Sequence, residues 1–237
     1  MLFSILSGGD PKEIIISLLL MIPVILLSLS THEAAHGYIA YKMGDPTAKN
    51  LGRVTVNPLK HLDPMGSLCM LVFGYGWAKP VPINTRNFRN PKRGMAYTAI
   101  AGPISNLILG IIGTVLYAIG LFVISYFFGD LVISEFVFGL LMALLQLFEL
   151  FGYMNFVLAV FNLIPIPPFD GSRFFSLFLP SKIYFSMMRY ERYIMIGILV
   201  FMIACSRLFN FSPFSWLAGE LYDLISLPFY SLFNLIF

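Results

Sequence analysis

Long runs of apolar residues limit how this chain can fold more than any other feature of its sequence. Four such runs cover residues 14–43, 95–128, 133–163 and 193–209, and each is close to or above the ~20 residues that a helix needs to cross a bilayer. Hydrophobic residues make up 58% of the chain and charged residues 11%, against roughly 45–50% and 25% in soluble domains. A single aqueous core cannot bury that much apolar surface. We therefore predict an all-α polytopic membrane protein.

The C-terminal tail, residues 216–237, is also apolar, but Glu220, Asp223 and Pro228 interrupt it. The sequence leaves open whether the tail is a fifth span or a helix that lies in the membrane interface. We therefore expect a bundle of about four to five transmembrane helices.

The chain is short enough to form one membrane domain that includes all 237 residues. Its core should lie within about residues 14–192, followed by C-terminal apolar helices within residues 193–237. The first apolar run lacks a small-residue cleavage pattern, so we expect it to be a retained span rather than a signal peptide. Cys69 and Cys205 are far apart in sequence and are expected to be free thiols.

The basic residues are unevenly distributed between the predicted spans. Nine Lys or Arg lie in residues 42–93 and four in residues 173–192, whereas the short link at 129–134 has none. Loops rich in Lys and Arg usually face the cytoplasm. This distribution predicts that the C-terminal ends of the first and third spans meet on the cytoplasmic side.

A His-Glu-Ala-Ala-His motif occupies residues 32–36, inside the first apolar run. On a helix this spacing puts His32 and His36 on one face, where both can bind one metal ion, with Glu33 beside them to transfer protons. Ionisable groups are costly within a span and are retained where they pair with each other, with a cavity or with a metal. Zinc suits this donor set, and a catalytic zinc site usually has a third protein ligand. The alternative is a polar cluster that only packs helices.

Asp170 is the strongest candidate for the third ligand. The segment 162–171, Asn-Leu-Ile-Pro-Ile-Pro-Pro-Phe-Asp-Gly, ends the third span with prolines that cannot continue a helix. Taken alone, Asp170-Gly171 would be explained better as an ordinary turn. Its predicted position on the same side as His32 and His36 favours a ligand.

These motifs together resemble the site-2 protease family of zinc intramembrane metalloproteases. The resemblance rests on the motif at 32–36 and on the Asn-x-x-Pro-x-Pro-x-x-Asp-Gly pattern at 162–171. The segment Ala-Gly-Pro-Ile-Ser-Asn at 101–106 resembles an element of the family's middle core helix, and Gly-Trp-Ala-Lys-Pro-Val-Pro at 76–82 resembles a loop of its compact prokaryotic branch. The resemblance covers about residues 14–192.

The resemblance implies a three-helix catalytic core and one Zn2+ per chain, bound by His32, His36 and Asp170. It also implies that Glu33 activates a water molecule. The chain differs from the usual pattern at Phe169, where the family often has Leu, and no inserted PDZ-like domain is visible. The first difference leaves the ligand in place, and the second leaves substrate selection to the bundle or to a partner.

Other polar residues in the spans have weaker assignments. Asn106 and Asn162 are candidates for contacts with the substrate or the oxyanion, and Asn155 shares a helix face with Asn162. Packing between helices is the alternative for each of them. His61 is more simply explained as a structural loop histidine than as a metal ligand.

Two segments between the first two spans are candidates for contact with the substrate. Residues 52–57 alternate as a short edge strand would, and a plain loop fits them equally well. Residues 64–77 are apolar but too short to span and contain three glycines, which suits a re-entrant or interfacial element.

The predicted function is a zinc-dependent endopeptidase that hydrolyses peptide bonds in or near transmembrane segments of other proteins. A catalytically inactive binder of membrane helices would be expected to lack one of His32, Glu33, His36 or Asp170, and all four are present. A metal transporter would carry polar groups along the depth of the bilayer rather than one cluster. The expected partners are transmembrane substrates and the lipid bilayer, with no nucleic acid, and an adaptor or oligomer is left open. The expected location is the plasma membrane of a prokaryote, with the active site towards the cytoplasm.

Overall fold

The computed structural model describes residues 11–66, 78–128, 134–180, 182, 183, 186, 189–209, 211 and 213–236. These residues form mainly α-helices, which we number α1 Pro11–Met43, α2 Thr47–Asn50, α3 Pro91–Phe128, α4 Glu135–Asn162, α5 Asp170–Phe175, α6 Glu191–Phe209 and α7 Pro213–Ile236. Short 3-10 helices cover Pro58–Lys60 and Thr85–Asn87.

Three of these helices are long and apolar enough to cross a membrane. The candidate spans are Leu18–Met43 in α1, Pro91–Phe127 in α3 and Glu135–Asn162 in α4. They confirm the first three predicted spans and the all-α membrane fold. The predicted fourth span and the tail are also helical, as α6 and α7, but the described residues do not identify either as a span, so those crossings stay predictions.

Helices α3 and α4 approach each other closely through glycines. A Cβ atom on Gly113 would lie 2.5 Å from the backbone nitrogen of Gly152, so only glycine at position 113 lets the two backbones come this near. Small residues are a usual means of close packing between helices in membranes, where lipid offers no hydrophobic driving force for association. This contact fixes the position of α4, whose end leads to Asp170.

The C-terminal helix α7 packs against α3 and α4. Ala218 and Tyr222 of α7 are buried against Phe156 of α4, which is itself fully buried. The tail is therefore part of the bundle, whichever way it lies in the membrane.

The loop after α1 is held by a buried carboxylate. Gly44 comes directly after the last residue of α1 and has a φ of +114°, which favours glycine, and Asp45 follows with no exposed surface. Asp45 accepts hydrogen bonds from the backbone nitrogen of Asn84 at 2.7 Å and from Nδ2 of Asn87 at 2.8 Å, as well as from Thr47. Asp45 thereby fastens the segment that precedes α3 to the end of α1.

Residues 52–57, left open between an edge strand and a loop, form a loop of turns and bends. Within the described residues, the isolated β-bridge pairs Leu62 with Ala78. Residues 67–77, most of the predicted re-entrant element, lie outside the described residues.

Candidate metal centre

Two histidines on α1 and one aspartate at the start of α5 come together. His32 and His36 lie one helical turn apart and are both buried, with their rings edge to face and 4.5 Å between centroids. Oδ2 of Asp170 lies 3.1 Å from Nε2 of His32 and 3.2 Å from Nε2 of His36. The two Nε2 atoms are 3.0 Å apart.

The turn between α4 and α5 brings Asp170 to the histidines. Helix α4 ends at Asn162, before the prolines, and α5 begins at Asp170 itself. A Cβ atom on Gly171 would collide with the backbone carbonyl of Leu163, so glycine is required where the chain folds back on the end of α4. The glycine of the Asp-Gly pair thus permits the close turn that delivers the carboxylate.

Helix α3 passes over the two histidines at Gly102. A Cβ atom there would lie 2.5 Å from Cε1 of His32 and 2.5 Å from Nε2 of His36. Glycine at this position leaves the space in front of the imidazoles open.

The hydrogen bond of His36 fixes its tautomer. The carbonyl oxygen of Thr98 can only accept, and it lies 2.7 Å from Nδ1 of His36. Nδ1 therefore carries the proton, which leaves a lone pair on Nε2 in the neutral ring.

A chain of buried amides fixes the tautomer of His32 in the same way. The carbonyl oxygen of Phe151 accepts a hydrogen bond from Nδ2 of Asn155 at 2.8 Å, and so does the hydroxyl oxygen of Ser28 at 2.8 Å. Oδ1 of Asn155 is then an acceptor, and Nδ2 of Asn106 donates to it at 2.8 Å. Oδ1 of Asn106 consequently accepts from Nδ1 of His32 at 2.5 Å, so Nε2 of His32 also presents a lone pair.

This donor set fits a zinc ion. Two imidazole nitrogens and a carboxylate oxygen, all with lone pairs, converge within 4.8 Å of one another and would repel without a cation between them. Tetrahedral zinc with bonds of about 2.0–2.1 Å separates its ligands by about 3.3 Å, close to the distances observed. The second nitrogen of each ring donates to a fixed acceptor, as is usual for metal-binding histidines.

The charge state of Asp170 agrees with this arrangement. Burial alone would raise the pKa of its carboxyl group, but when the facing imidazole nitrogens carry a proton in place of a metal ion, positive charge on His36 and hydrogen bonds from both rings hold that pKa well below its usual range. Any cation between the rings, whether a proton or a metal ion, has this effect. Asp170 is therefore ionised and able to act as a ligand.

Glu33 lies next to the three ligands and shares their cavity. The backbone N–H of Val81 donates to Oε2 of Glu33 at 2.8 Å, which leaves Oε1 available to other groups. The cavity has a volume of about 220 Å³. It is lined by His32, Glu33, His36, Pro80, Val81, Ile83, Met95, Ala99, Asn162, Pro168, Asp170 and Arg173.

The structure separates the two asparagines that were grouped as candidate contacts. Asn162 lines the cavity, and its Nδ2 donates to the carbonyl oxygen of Leu158 at 3.0 Å. Asn106 is fully buried behind His32 and does not line the cavity, which favours a positioning role. His61 lies apart from the cluster, with Nε2 2.8 Å from the carbonyl oxygen of Thr55.

The roles of two residues that line the cavity were not predicted from the sequence. Arg173 lies three residues after Asp170 on α5, a spacing that puts both on one side of the helix and could have been noticed. Val81 acts through its backbone N–H, and an amide that every non-proline residue carries gives no signal in the sequence.

Comparisons with known proteins agree with the geometry of the site. The model of peptidase family M50 matches residues 20–205. YwhC of Bacillus subtilis, provisionally named a zinc metalloprotease, is 41% identical over 183 residues, which cover 77% of this chain and 78% of that protein. No solved structure gives a significant match.

Two more distant relatives carry similar names. Rip2 of Mycolicibacterium smegmatis, also provisionally named a zinc metalloprotease, is 28% identical over 151 residues, which cover 62% of this chain and 52% of that protein. Zinc metalloprotease MJ0392 of Methanocaldococcus jannaschii is 29% identical over 159 residues, or 67% of this chain and 34% of that protein. The family match includes both motifs of the metal centre and most of the chain. This protein therefore belongs to peptidase family M50, the site-2 protease family of zinc metalloproteases.

Proposed function

We propose that this metalloprotease is an intramembrane endopeptidase, which hydrolyses peptide bonds in or near transmembrane segments of membrane proteins. The observation that carries the proposal is the position of the metal centre within a candidate span. His32 lies inside Leu18–Met43, about 16 Å along the helix axis from Met43. A hydrolytic site at that depth is best suited to a bond that also lies within the membrane.

The proposed ligands are His32, His36 and Asp170. Bound there, zinc would supply a Lewis acid that lowers the pKa of water and polarises a carbonyl group. Oε1 of Glu33 is free of the Val81 N–H and can accept a proton from the attacking water and later return it to the leaving amine. Arg173, on the cavity wall, offers guanidinium donors to the negative charge that develops on the carbonyl oxygen.

The geometry of a helix supports an unwound substrate. In an α-helix the backbone carbonyl groups are hydrogen-bonded within the helix and covered by side chains, which give the helix a diameter of about 10 Å. A transmembrane helix would have to open locally before its backbone reached Glu33. The substrates we propose are accordingly membrane proteins whose helices unwind readily.

The basic loops support an active site that opens towards the cytoplasm of a prokaryotic cell, with the protein in the plasma membrane. A binder without activity is disfavoured because all four catalytic candidates share one cavity. A transporter is disfavoured because, among the described residues, the potential metal ligands cluster in one place.

Cleavage of a panel of transmembrane substrates in detergent tests the proposal. Wild type should cleave at least one of them, and both Glu33→Gln and a zinc chelator should abolish the cleavage. The matched control is Glu149→Gln, which alters an exposed glutamate of α4 far from the cavity lining and should retain activity. Cleavage that survives Glu33→Gln would overturn the proposed role of Glu33.

Zinc content tests the ligand set separately. Asp170→Asn should lower bound zinc, because an amide oxygen is a weaker ligand than a carboxylate, whereas Asp223→Asn on the exposed side of α7 should not. Undiminished zinc in Asp170→Asn would remove Asp170 from the site.

A further inference from the structure

Arg53 is a buried cation in the loop after α2. Its side chain is 9% exposed, although arginine is rarely buried without a specific partner. One guanidinium nitrogen, Nη2, donates to the carbonyl oxygen of Lys79 at 2.7 Å and to that of Pro80 at 3.4 Å. Nε is buried and has no hydrogen-bond partner among the described residues, so the guanidinium is retained at a cost in desolvation.

The segment that Arg53 binds is the one that holds Glu33. The N–H of Lys79 donates to the carbonyl oxygen of His61 at 2.8 Å, and two residues later the N–H of Val81 donates to Oε2 of Glu33 at 2.8 Å. Pro80 and Val81 form part of the cavity wall. A continuous line of contacts therefore runs from Arg53 to Glu33.

Close packing on α1 supports the same arrangement. Gly37 lies one turn after Glu33 and so faces the same side of the helix. A Cβ atom on Gly37 would lie 3.1 Å from Cγ2 of Val54 and 3.3 Å from Cγ1 of Val81. Val54, the residue after Arg53, and Val81, the donor to Glu33, therefore both pack closely against α1 at Gly37.

We propose that Arg53 is a positioning residue for Glu33, because it fixes the Lys79–Pro80 backbone so that the Val81 N–H holds one oxygen of the Glu33 carboxylate. The other oxygen then faces the cavity in a defined orientation. This inference rests on the proposed role of Glu33 in proton transfer. Neither Arg53 nor Val81 needs to contact the substrate's reacting atoms.

Hydrogen exchange gives a readout that does not depend on activity. Pro80 and Pro82 have no N–H, and the first residue of a peptide has an amine in place of an amide, so the peptide 79–83 reports only the amides of Val81 and Ile83. Arg53→Gln should speed exchange in this peptide about 10-fold, which corresponds to the loss of roughly one hydrogen bond. The matched control is Arg86→Gln, since Arg86 is exposed on the neighbouring 3-10 helix, and it should leave the exchange unchanged.

Steady-state cleavage in detergent completes the test. Arg53→Gln should lower kcat about 100-fold, because misplacing a catalytic group by about 1 Å has that effect, while KM and zinc content stay close to wild type. Arg53→Lys should recover part of kcat, since an ammonium group can still donate to one of the two carbonyls. It also keeps the proposal testable if Arg53→Gln fails to fold.

The outcomes separate the two proposals. If wild type cleaves its substrate and Arg53→Gln changes neither kcat nor exchange, Arg53 has no positioning role. If Arg53→Gln loses zinc in proportion to its loss of activity, the positioning role is also overturned, since Arg53 would then support the fold as a whole. If wild type cleaves no transmembrane substrate but exchange of residues 79–83 responds as expected, the proposed function fails while the contact from Arg53 to this segment stands.

Discussion

The Nδ1 atom of His32 lies 2.5 Å from Oδ1 of Asn106, and this contact joins the metal centre to the polar interior of the helix bundle. The carbonyl oxygen of Phe151 can only accept, so it fixes the orientation of the Asn155 amide. Asn155 in turn fixes the orientation of Asn106, whose Oδ1 must accept from His32. Three helices thus determine which nitrogen of His32 is free to bind a metal. The packing of the fold therefore sets the tautomer of His32, a proposed metal ligand.

We expect Asn106→Leu to weaken zinc binding by about 10–100-fold, the usual effect of removing a residue that orients a metal ligand. Leucine has a similar size but cannot accept the Nδ1 proton. Competition with a chromophoric chelator measures the zinc affinity. Asn162→Leu is the control, because Asn162 lines the cavity but its side-chain amide donates to the carbonyl oxygen of Leu158 and not to an imidazole. Unchanged affinity in Asn106→Leu would show that His32 needs no such acceptor.

Gly102→Ala should impair zinc binding severely, because its Cβ atom would lie 2.5 Å from both imidazoles. Either α3 or the two rings must move, and both movements disturb the ligands. Gly139→Ala in α4 is the control, since a Cβ atom there meets nothing within 4 Å. Zinc content of the purified variants measures the effect, and full occupancy in Gly102→Ala would contradict the close approach of α3.

Arg173→Gln should lower kcat/KM by about 10–100-fold and leave zinc content unchanged, because it removes positive charge from the cavity wall without altering a ligand. Arg173→Lys should retain part of the activity, since an ammonium group keeps the charge but not the planar geometry. Lys182→Gln alters an exposed cation beyond the cavity and serves as control. Equal kcat/KM in wild type and Arg173→Gln would exclude a contact with the reacting carbonyl.

Asp45→Asn should destabilise the protein at neutral pH by about 1–3 kcal/mol, since an amide cannot accept all the hydrogen bonds that the buried carboxylate receives. Burial would raise the pKa of Asp45, but hydrogen bonds from Thr47, Asn87 and Asn84 outweigh it and lower that pKa. Because its pKa is lower in the folded state than the value of 3.8 in the unfolded chain, Asp45 stabilises the folded state fully above that pH. This stabilisation is lost as the pH falls through the lowered pKa.

Thermal unfolding of wild type and Asp45→Asn across pH measures this contribution. The difference in stability should be constant above about pH 5 and shrink at lower pH, below the ordinary pKa of aspartate. Asp63→Asn is the control in the same loop region. A difference that grows as the pH falls would contradict the assignment of Asp45 as an ionised acceptor.

The sequence was sufficient for the parts of the site that depend on spacing along one element. His32 and His36 are four residues apart on a helix, and the Asp-Gly pair after prolines marked Asp170 at a helix end. The structure brings these three together as expected. The long apolar runs similarly predicted α1, α3 and α4 to within a few residues.

Other features depend on contacts between distant segments and could not be read from the sequence. The acceptor role of Asn106 requires knowledge of which side of α3 faces His32, and Asn106 was predicted as a candidate contact with the substrate or oxyanion. The hydrogen bond from Val81 to Glu33 is made by the backbone, and the one from Arg53 to this segment joins residues that are 26 positions apart in the sequence. The oxyanion role of Asn106 stays a prediction, as does a substrate contact through Asn162.

The most direct test of the central claim is to map the bond that the enzyme cuts. Purified protein in lipid vesicles would be incubated with a cleavable membrane protein, and the new termini identified by mass spectrometry, with Glu33→Gln as control. We expect Glu33-dependent termini within or at the edge of the substrate's transmembrane segment. Glu33-dependent cuts confined to soluble loops distant from the membrane would contradict intramembrane proteolysis.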